Sequence, residues 1–206
     1  MRRIGHRGAR GYAPDNTVAS FTKAFELGCD EIETDAWLID GDLVIAHDRP
    51  SSTRGLLSLD EVLDLCAGRM GVNVELKCEG STAMARETGK RVAERIAARA
   101  DSSVYLSSFW WAALEAARET AREVRRAYIY SSSPRGASLI ADAKALELWA
   151  LHPNRAYVTT ELVAAAHAAS LAVQPWTVND PAEIALFRAW GVDGIMSDYP
   201  DRVPKD

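Results

Sequence analysis

Short apolar runs alternate along the chain with longer segments in which apolar residues recur at helical spacing. The short runs are rich in Val, Ile, Tyr and Trp, and the longer segments are rich in Ala. Such alternation is typical of repeated βα units around a parallel sheet. An additional short run, 43–47, follows an Asp-Gly turn signal and is expected to lie beside the second strand. Eight strands are predicted, over residues 3–6, 30–36, 72–77, 104–108, 126–130, 146–151, 172–178 and 194–197.

Helices are predicted after seven of these strands. The last one shows the clearest boundaries, because Asp180 precedes Pro181 at its start and Gly191 stands at its end. Eight strands and seven helices in regular alternation favour an α/β fold, a compact TIM (β/α)8 barrel, formed as one domain by residues 1–206. Only residues 199–206 follow the last strand, so the final helix is expected to be truncated. A Rossmann fold is disfavoured, because no Gly-x-Gly-x-x-Gly motif opens a helix.

Composition narrows the classes of function. The chain has 206 residues, with 24 basic and 29 acidic side chains and a formal net charge of −5. This balance, without any run of Lys or Arg, disfavours nucleic acid or an anionic membrane as partner. No apolar stretch approaches the roughly 20 residues that span a bilayer, and no apolar signal segment follows Met1. We therefore expect a cytoplasmic protein without stable membrane association, in which the three cysteines are buried free thiols.

Candidate acidic residues gather where a barrel carries its active site, at the carboxyl ends of the strands. Glu33 and Asp35 stand two apart on the second strand, on one face and about 6.6 Å apart. Glu75 is expected to approach them from the next strand. Three inward carboxylates repel one another unless a cation joins them. Oxygen ligands suit a hard divalent metal, so one Mg²⁺ or Ca²⁺ ion is the expected cofactor.

Basic side chains stand at the same strand ends. Arg7 and Lys77 supply cationic donors for an anionic ligand beside the metal. His6 and His47 could divide the acid and base roles, since imidazole titrates near neutral pH. Trp176 lies just before the end of another strand. At that position its side chain could line the pocket or pack in the core. Metal-assisted cleavage of a phosphodiester needs this set of groups.

Seven ordered motifs carry a resemblance to a known family, the glycerophosphodiester phosphodiesterases. The resemblance runs from the first strand to the last and implies a TIM barrel that hydrolyses glycerophosphodiesters to glycerol 3-phosphate and an alcohol. The motifs are His6-Arg7-Gly8-Ala9, Pro14-Asp15-Asn16-Thr17, Glu33-Thr34-Asp35, His47-Asp48, Glu75-Leu76-Lys77, Trp176-Thr177-Val178-Asn179 and Gly191-Val192-Asp193-Gly194-Ile195.

The resemblance also implies roles for the candidate residues. Metal ligation falls to Glu33, Asp35 and Glu75. His6 and His47 become the catalytic pair, and Arg7 and Lys77 bind the phosphate. In the mechanism usual for the family, a glycerol hydroxyl attacks phosphorus and water then opens the cyclic phosphate. His47 is the usual choice for the group that protonates the leaving alcohol.

Two departures from the family pattern stand out. Asp15 replaces the glutamate of the usual Pro-Glu-Asn-Thr motif, and we place no metal ligand there. About two dozen residues separate His47 from the third strand, so no sizeable inserted subdomain is expected, and 49–57 is predicted to be a loop. We therefore expect the active site to be open to solvent. It should be selective for the glycerol and phosphate parts of a small-molecule substrate and have little selectivity for the departing alcohol.

The remaining polar and aromatic candidates carry weaker signals. His152 ends the sixth strand and could support the site from behind, whereas His167 is expected on an outer helix face. Asp198 could orient a catalytic group or cap a final turn. Trp110 and Trp111 could include one aromatic that lines the pocket, but the favoured interpretation is that they anchor the start of a helix.

The prediction is a metal-dependent glycerophosphodiester phosphodiesterase. Two alternatives keep the barrel: a phospholipase D-like enzyme that acts on lysophospholipids, and a catalytically inactive barrel that binds glycerol phosphate. The identity of the head group and the choice between monomer and homodimer stay open.

Overall fold

Eight parallel strands and one antiparallel strand form the sheet of the computed structural model, which describes residues 1–132 and 138–205. The parallel strands follow the order β8-β7-β6-β5-β4-β2-β1-β9, and β3 pairs with β2 as predicted. The strands are β1 Arg2–Gly5, β2 Glu31–Ile39, β3 Asp42–Ile45, β4 Gly71–Leu76, β5 Val104–Ser108, β6 Arg126–Tyr130, β7 Ala150–Pro153, β8 Ala172–Val173 and β9 Gly194–Ser197.

Backbone hydrogen bonds close the gap between the two end strands. The Asp193 N–H donates to the Val173 carbonyl at 2.9 Å, and the Met196 N–H donates to the Pro175 carbonyl at 3.0 Å. The predicted (β/α)8 barrel is thereby confirmed as a nearly closed barrel.

Helices follow seven of the parallel strands in the described part of the chain. After β9 the described residues form a 3-10 turn at Pro200–Arg202 in place of a full eighth helix, in line with the prediction. The helices are α1 Val18–Glu26, α2 Leu59–Cys66, α3 Thr82–Arg99, α4 Trp111–Thr120, α5 Ser138–Ala145, α6 Thr160–Ala168 and α7 Pro181–Trp190; a second 3-10 turn covers Arg155–Tyr157.

Side chains of β2 alternate between two buried environments. Ile32 belongs to the apolar core that the helices cover. Glu31, Glu33 and Asp35 have the opposite parity and are buried too, at 0–3% exposure. The Tyr105 hydroxyl, from a strand that is not adjacent, donates to the Glu31 carboxylate at 2.9 Å. The barrel interior is therefore polar on this side, and the apolar core lies between the strands and the helices.

Two strand predictions differ from the structure. The apolar run 146–151 begins too early, because Leu146 and Leu148 still donate to carbonyls of α5 and fill the turn after that helix. Both leucines are buried there, so the run combines a helix end with the start of β7. The predicted strand 172–178 is regular only over Ala172–Val173, and Pro175 interrupts it because proline has no N–H to donate.

The structure also bears on the expectations for membrane-spanning helices and for the cysteines. Among the described residues, no helix is both long and apolar enough to cross a membrane. The three cysteines are free; Cys29 and Cys66 are buried as predicted, whereas Cys78 is partly exposed. Burial raises the pKa of Cys66 to about 11.

Asp180 provides a direct test of the boundary signals. Its carboxylate accepts from the N–H groups of Ala182 and Glu183 at the start of α7. Asp180→Ala should lower the free energy of unfolding by about 1 kcal/mol, because two N–H groups lose their acceptor. For a chain of this size the expected fall in Tm is about 3 °C. Calorimetry checks it, with Glu123→Ala, an exposed acid in a loop, as a control that should leave the Tm nearly unchanged.

Candidate active site

Three carboxylates meet on neighbouring strands, Glu33 and Asp35 within β2 and Glu75 near the carboxyl end of β4. Asp35 and Glu75 are directly paired in the parallel register, and Glu33 precedes Asp35 by two residues on the same face. Each of the three offers an oxygen within 4.8 Å of the others. Parallel pairing thus produces the acidic cluster that the sequence predicts.

The electrostatics of this cluster fit a divalent cation. Burial, and next the Asp35 carboxylate, raise the pKa of Glu75 to about 7. Burial also raises the pKa of Glu33 well above its usual value, with further contributions from Asp35 and Glu75. Buried oxygens of Glu33 and Asp35 have no hydrogen-bond donor. An all-oxygen donor set with such repulsion is what Mg²⁺ or Ca²⁺ stabilises.

Two cationic side chains offset part of the negative charge. The Arg7 Nε lies 3.2 Å from Asp35 Oδ2, and the Arg7 backbone N–H donates to Glu33 Oε2 at 2.9 Å. The Lys77 Nζ lies 3.1 Å from Glu75 Oε1 and 3.4 Å from Asp35 Oδ1. Burial lowers the pKa of Lys77, but the carboxylates of Glu75 and Asp35 outweigh it and raise the pKa above its usual value. Both side chains are therefore charged beside the acidic cluster.

A tight turn after β1 explains why Arg7 is followed by glycine. Arg7 and Gly8 both have positive φ, of 51° and 81°. A Cβ atom on residue 8 would lie 2.1 Å from Ser20 Oγ, which itself donates to the Arg7 carbonyl at 2.5 Å. Only glycine fits there. This close packing fixes the backbone that presents Arg7 to the carboxylates.

His6 is buried between an aspartate and the acidic cluster. Its Nδ1 lies 2.7 Å from Asp198 Oδ1, and its Nε2 lies 4.0 Å from Glu33 Oε2. Burial lowers the pKa of His6, although the hydrogen bond to Asp198 works in the opposite direction. With Nδ1–H donated to the carboxylate, the Nε2 lone pair faces the cluster.

Asn179 holds Asp198 in place. The Asn179 side chain donates to Asp198 Oδ2 at 2.8 Å and accepts from the Asp198 N–H at 2.9 Å. The sequence left two roles open for Asp198, orienting a catalytic group or capping a turn. In the structure its carboxylate is hydrogen-bonded to His6. The contribution of Asn179 was missed, although its place at the end of the Trp-Thr-Val-Asn motif was a signal for it.

His47 follows β3 and is far more accessible than His6. Its side chain is 40% exposed, against 10% for His6, and its Nδ1 lies 2.8 Å from Asp48 Oδ1. The two histidines thus reach the same site from opposite environments, one buried and one at the mouth.

A cavity of about 100 Å³ brings the predicted residues together. Asp35 lies outside this lining but belongs to the acidic cluster. The Trp176 indole edge meets Phe109 at 5.6 Å between ring centroids, and its Nε1–H donates to the His152 carbonyl at 2.9 Å. The lining residues are His6, Arg7, Glu33, His47, Asn73, Glu75, Lys77, Phe109, Ile129, His152, Trp176 and Met196.

Comparison with known proteins identifies the family. The model of the glycerophosphoryl diester phosphodiesterase family matches residues 6–68 and 51–202, which together cover nearly the whole chain. The chain belongs to this family. The protein is accordingly a phosphoric diester hydrolase, and the sequence resemblance is confirmed.

Relatives and a solved structure agree along their full lengths. A glycerophosphodiester phosphodiesterase of Bacillus altitudinis is 28% identical, over 98% of this chain and 96% of that protein. One from Caldanaerobacter subterraneus subsp. tengcongensis is also 28% identical, over 96% and 94%. The structure of an Oleispira antarctica phosphodiesterase, solved in complex with the product sn-glycerol-3-phosphate, superposes with a TM-score of 0.87 at 26% identity, over 98% and 95%.

Several other candidates lie around or outside the site. Asp15 pairs with Arg7 at 3.1 Å rather than joining the acidic cluster. His167, on α6, pairs with Asp193 at 2.9 Å, beyond the opposite ends of the strands. Trp110 and Trp111 stand at the start of α4, as expected for helix anchors.

Sequence reasoning also missed residues that shape the site. Asn16, in the left-handed region at φ 55°, donates to Asp35 Oδ2 at 2.8 Å and accepts from Thr34 at 2.8 Å. Phe109, which completes the aromatic side of the cavity, directly follows β5, and that position was its signal. His152 is fully buried. It lines the cavity directly, whereas the sequence suggested that it supports the residues that do so.

A wider cleft adjoins this cavity at Arg7 and His47. Its volume is about 900 Å³, and Arg10, Leu56 and Leu57 contribute to its walls. No helix or strand forms over residues 49–55, which run as a loop along this cleft. The mouth is open on this side, in agreement with the short loop that the sequence predicts.

The acidic cluster predicts that a divalent cation stabilises the fold. Mg²⁺ or Ca²⁺ at 100 times its Kd should raise the free energy of unfolding by about 2.7 kcal/mol, because it binds only the folded cluster. Thermal unfolding across a metal titration measures this. Glu33→Gln and Glu75→Gln should remove most of the response, whereas Glu79→Gln, an exposed acid outside the cluster, should keep it. An equal metal-induced rise in stability in the original protein and in all three variants would contradict a metal site at these residues.

Proposed function

We propose that this protein hydrolyses glycerophosphodiesters to glycerol 3-phosphate and an alcohol, with one divalent metal ion held by Glu33, Asp35 and Glu75. The observation that carries the proposal is the convergence of an acidic cluster, two cations and two histidines on one small cavity. The product complex of the Oleispira antarctica relative supports the glycerol phosphate part. The proposal treats residues 1–206 as one barrel domain.

Arg7 and Lys77 are the proposed phosphate-binding residues. Both are fixed by carboxylates of the cluster, so their remaining N–H groups are held in place before substrate arrives. A bound divalent ion would supply further positive charge to the phosphate oxygens and stabilise charge as it develops there. Arg7 lies where the small cavity and the wide cleft meet, and the phosphate is assigned to this junction.

His6 is the proposed general base. Asp198 accepts a hydrogen bond from the His6 Nδ1–H group. The unprotonated Nε2 is therefore the atom that removes a proton from the attacking oxygen. Burial lowers the pKa of His6, which favours the neutral imidazole that a base requires. Asp198 acts through His6 and is a positioning residue, and Asn179 holds it in turn.

His47 is the proposed general acid. It borders both the small cavity and the wide cleft, so a proton on its ring can reach the oxygen that leaves phosphorus. The glycerol side of the substrate is assigned to the small cavity beside Trp176, and the departing alcohol to the cleft. A cleft of about 900 Å³ does not enclose one head group closely, in keeping with loose selection of the alcohol.

Chelation provides the first test of the reaction. Release of glycerol 3-phosphate from glycerophosphocholine should stop after treatment with a chelator and return on addition of Mg²⁺ or Ca²⁺. His6→Ala and His47→Ala should each lower kcat by about 10²-fold to 10⁴-fold while the metal-induced rise in Tm is kept.

The same assay separates the alternatives. Faster turnover of the lysophospholipid than of its deacylated counterpart would favour the phospholipase D-like reading. Binding of glycerol 3-phosphate without turnover of any diester would favour an inactive barrel. Turnover that is indifferent to chelator would contradict the metal assignment.

Asp198 has a distinctive pH signature. Its hydrogen bond raises the pKa of His6, so Asp198→Asn should lower that pKa further. A base must be neutral, and activity is lost as the pH falls through its pKa. The acid limb of kcat/KM should therefore move to lower pH, while the rate at neutral pH falls about 10-fold to 100-fold as the ring loses its orientation.

A matched control exists in the other Asp–His pair. Asp193 contacts His167 at 2.9 Å on the far side of the barrel, so Asp193→Asn should leave both the acid limb and the neutral rate unchanged. An acid limb that stays in place in Asp198→Asn would contradict the role of His6 as base.

A further inference from the structure

One side of the active-site cavity differs in character from the other. Most of its ionisable lining residues come from β1 to β4 or the turns that follow them, whereas His152 comes from β7. Asn73 lies two residues before Glu75 on the same face of β4, directly opposite Glu33 on β2. With Asn73 and His152, the aromatic and apolar side chains complete the lining: Phe109, Ile129, Trp176 and Met196. A ligand group on this side therefore meets carbon, one amide and one imidazole.

Two of these groups are polar and have unpaired side-chain atoms. Asn73 and His152 are both 0% exposed. Neither polar atom of the Asn73 amide has a hydrogen-bond partner in the protein, and the His152 ring nitrogens have none beyond a weak interaction with the Gln174 side chain. Buried polar side chains with all their polar atoms unpaired are rare, because burial removes them from water without compensation. The proposed mechanism uses neither residue.

The His152 ring points into the barrel and is held there. Its centroid lies 6.1 Å from the Tyr105 ring, edge to face, and Tyr105 itself bonds to Glu31 and Gln174 in the interior. The His152 carbonyl accepts from the Trp176 indole, which fixes the backbone against another lining residue. The ring is thus placed by its neighbours and is not free to turn toward solvent.

The chemistry of the pair selects a neutral partner. Burial lowers the pKa of His152 to about 3, against a smaller opposing effect of Gln174, so the imidazole is uncharged. A neutral imidazole offers one donor and one acceptor, and an amide offers both as well. A hydroxyl, which donates one hydrogen bond and accepts others, satisfies such groups, whereas an unprotonated anion could only accept hydrogen bonds and would leave their acceptor atoms unpaired.

We propose that Asn73 and His152 form a binding site for one uncharged hydroxyl group in the active-site cavity. The hydroxyl comes from one of two sources: an ordered water, or a free hydroxyl of the glycerol moiety. The second source rests on the proposed function. In that case the pair determines specificity, because a substrate without the hydroxyl would leave both residues unpaired.

Binding of two phosphate monoesters separates the sources. We would measure Kd calorimetrically for sn-glycerol 3-phosphate and for propyl phosphate, which has the same carbon chain without free hydroxyls, on the Mg²⁺-loaded protein. If the glycerol hydroxyl occupies the site, His152→Leu and Asn73→Ala should each reduce the preference for glycerol 3-phosphate about tenfold. His152→Gln, which keeps a donor and an acceptor, should retain most of it, and His167→Leu should retain all of it.

Stability supplies the second arm. An unchanged preference, together with a lower Tm for His152→Leu than for His152→Gln, would support the site with water as its occupant. An unchanged preference with His152→Leu at least as stable as the original protein would overturn the proposal. The binding measurement needs no turnover, so a protein that hydrolyses no diester but shows the expected preference would refute the proposed function and leave this site standing.

Discussion

Repulsion among three carboxylates, two buried and one nearly so, is the constraint on which the rest of this structure depends. Glu33, Asp35 and Glu75 are brought together by adjacent parallel strands, in surroundings that raise the pKa of Glu33 and Glu75. A fold that concentrates negative charge in this way needs positive charge nearby. Arg7 and Lys77 supply part of it from the protein, and a divalent cation is the natural complement.

The local structure around the site follows from placing those charges. Arg7 reaches the carboxylates because the chain turns sharply after β1, and Gly8 permits the turn against Ser20. The nearby Asn16 donates to Asp35 and so orients one carboxylate from the side. These contacts hold the carboxylates and the Arg7 side chain, proposed to bind phosphate, in position by packing and hydrogen bonds, which is the condition for efficient electrostatic catalysis.

Charged and uncharged groups line different sides of the cavity, and this division would sort the parts of a ligand. In the proposed function the phosphate lies beside Arg7 and Lys77, and an uncharged oxygen lies beside Asn73 and His152. The aromatic side of the cavity, formed by Phe109 and Trp176, suits carbon atoms between them. The wide cleft beyond His47 places few restrictions on the group that departs. One small barrel can thereby be selective at one end of its substrate and permissive at the other.

The sequence by itself determined the barrel and most of the charged site. Strand alternation gives the topology, and two carboxylates two residues apart on a strand must share a face. The tertiary structure decided what depends on distant partners. Asp198 lies 192 residues from His6, so no local pattern could choose between orienting that ring and capping a turn. The burial of unpaired polar atoms of Asn73 and His152 is likewise a property of the closed barrel, because only packing determines which polar atoms lose contact with water and with the rest of the chain.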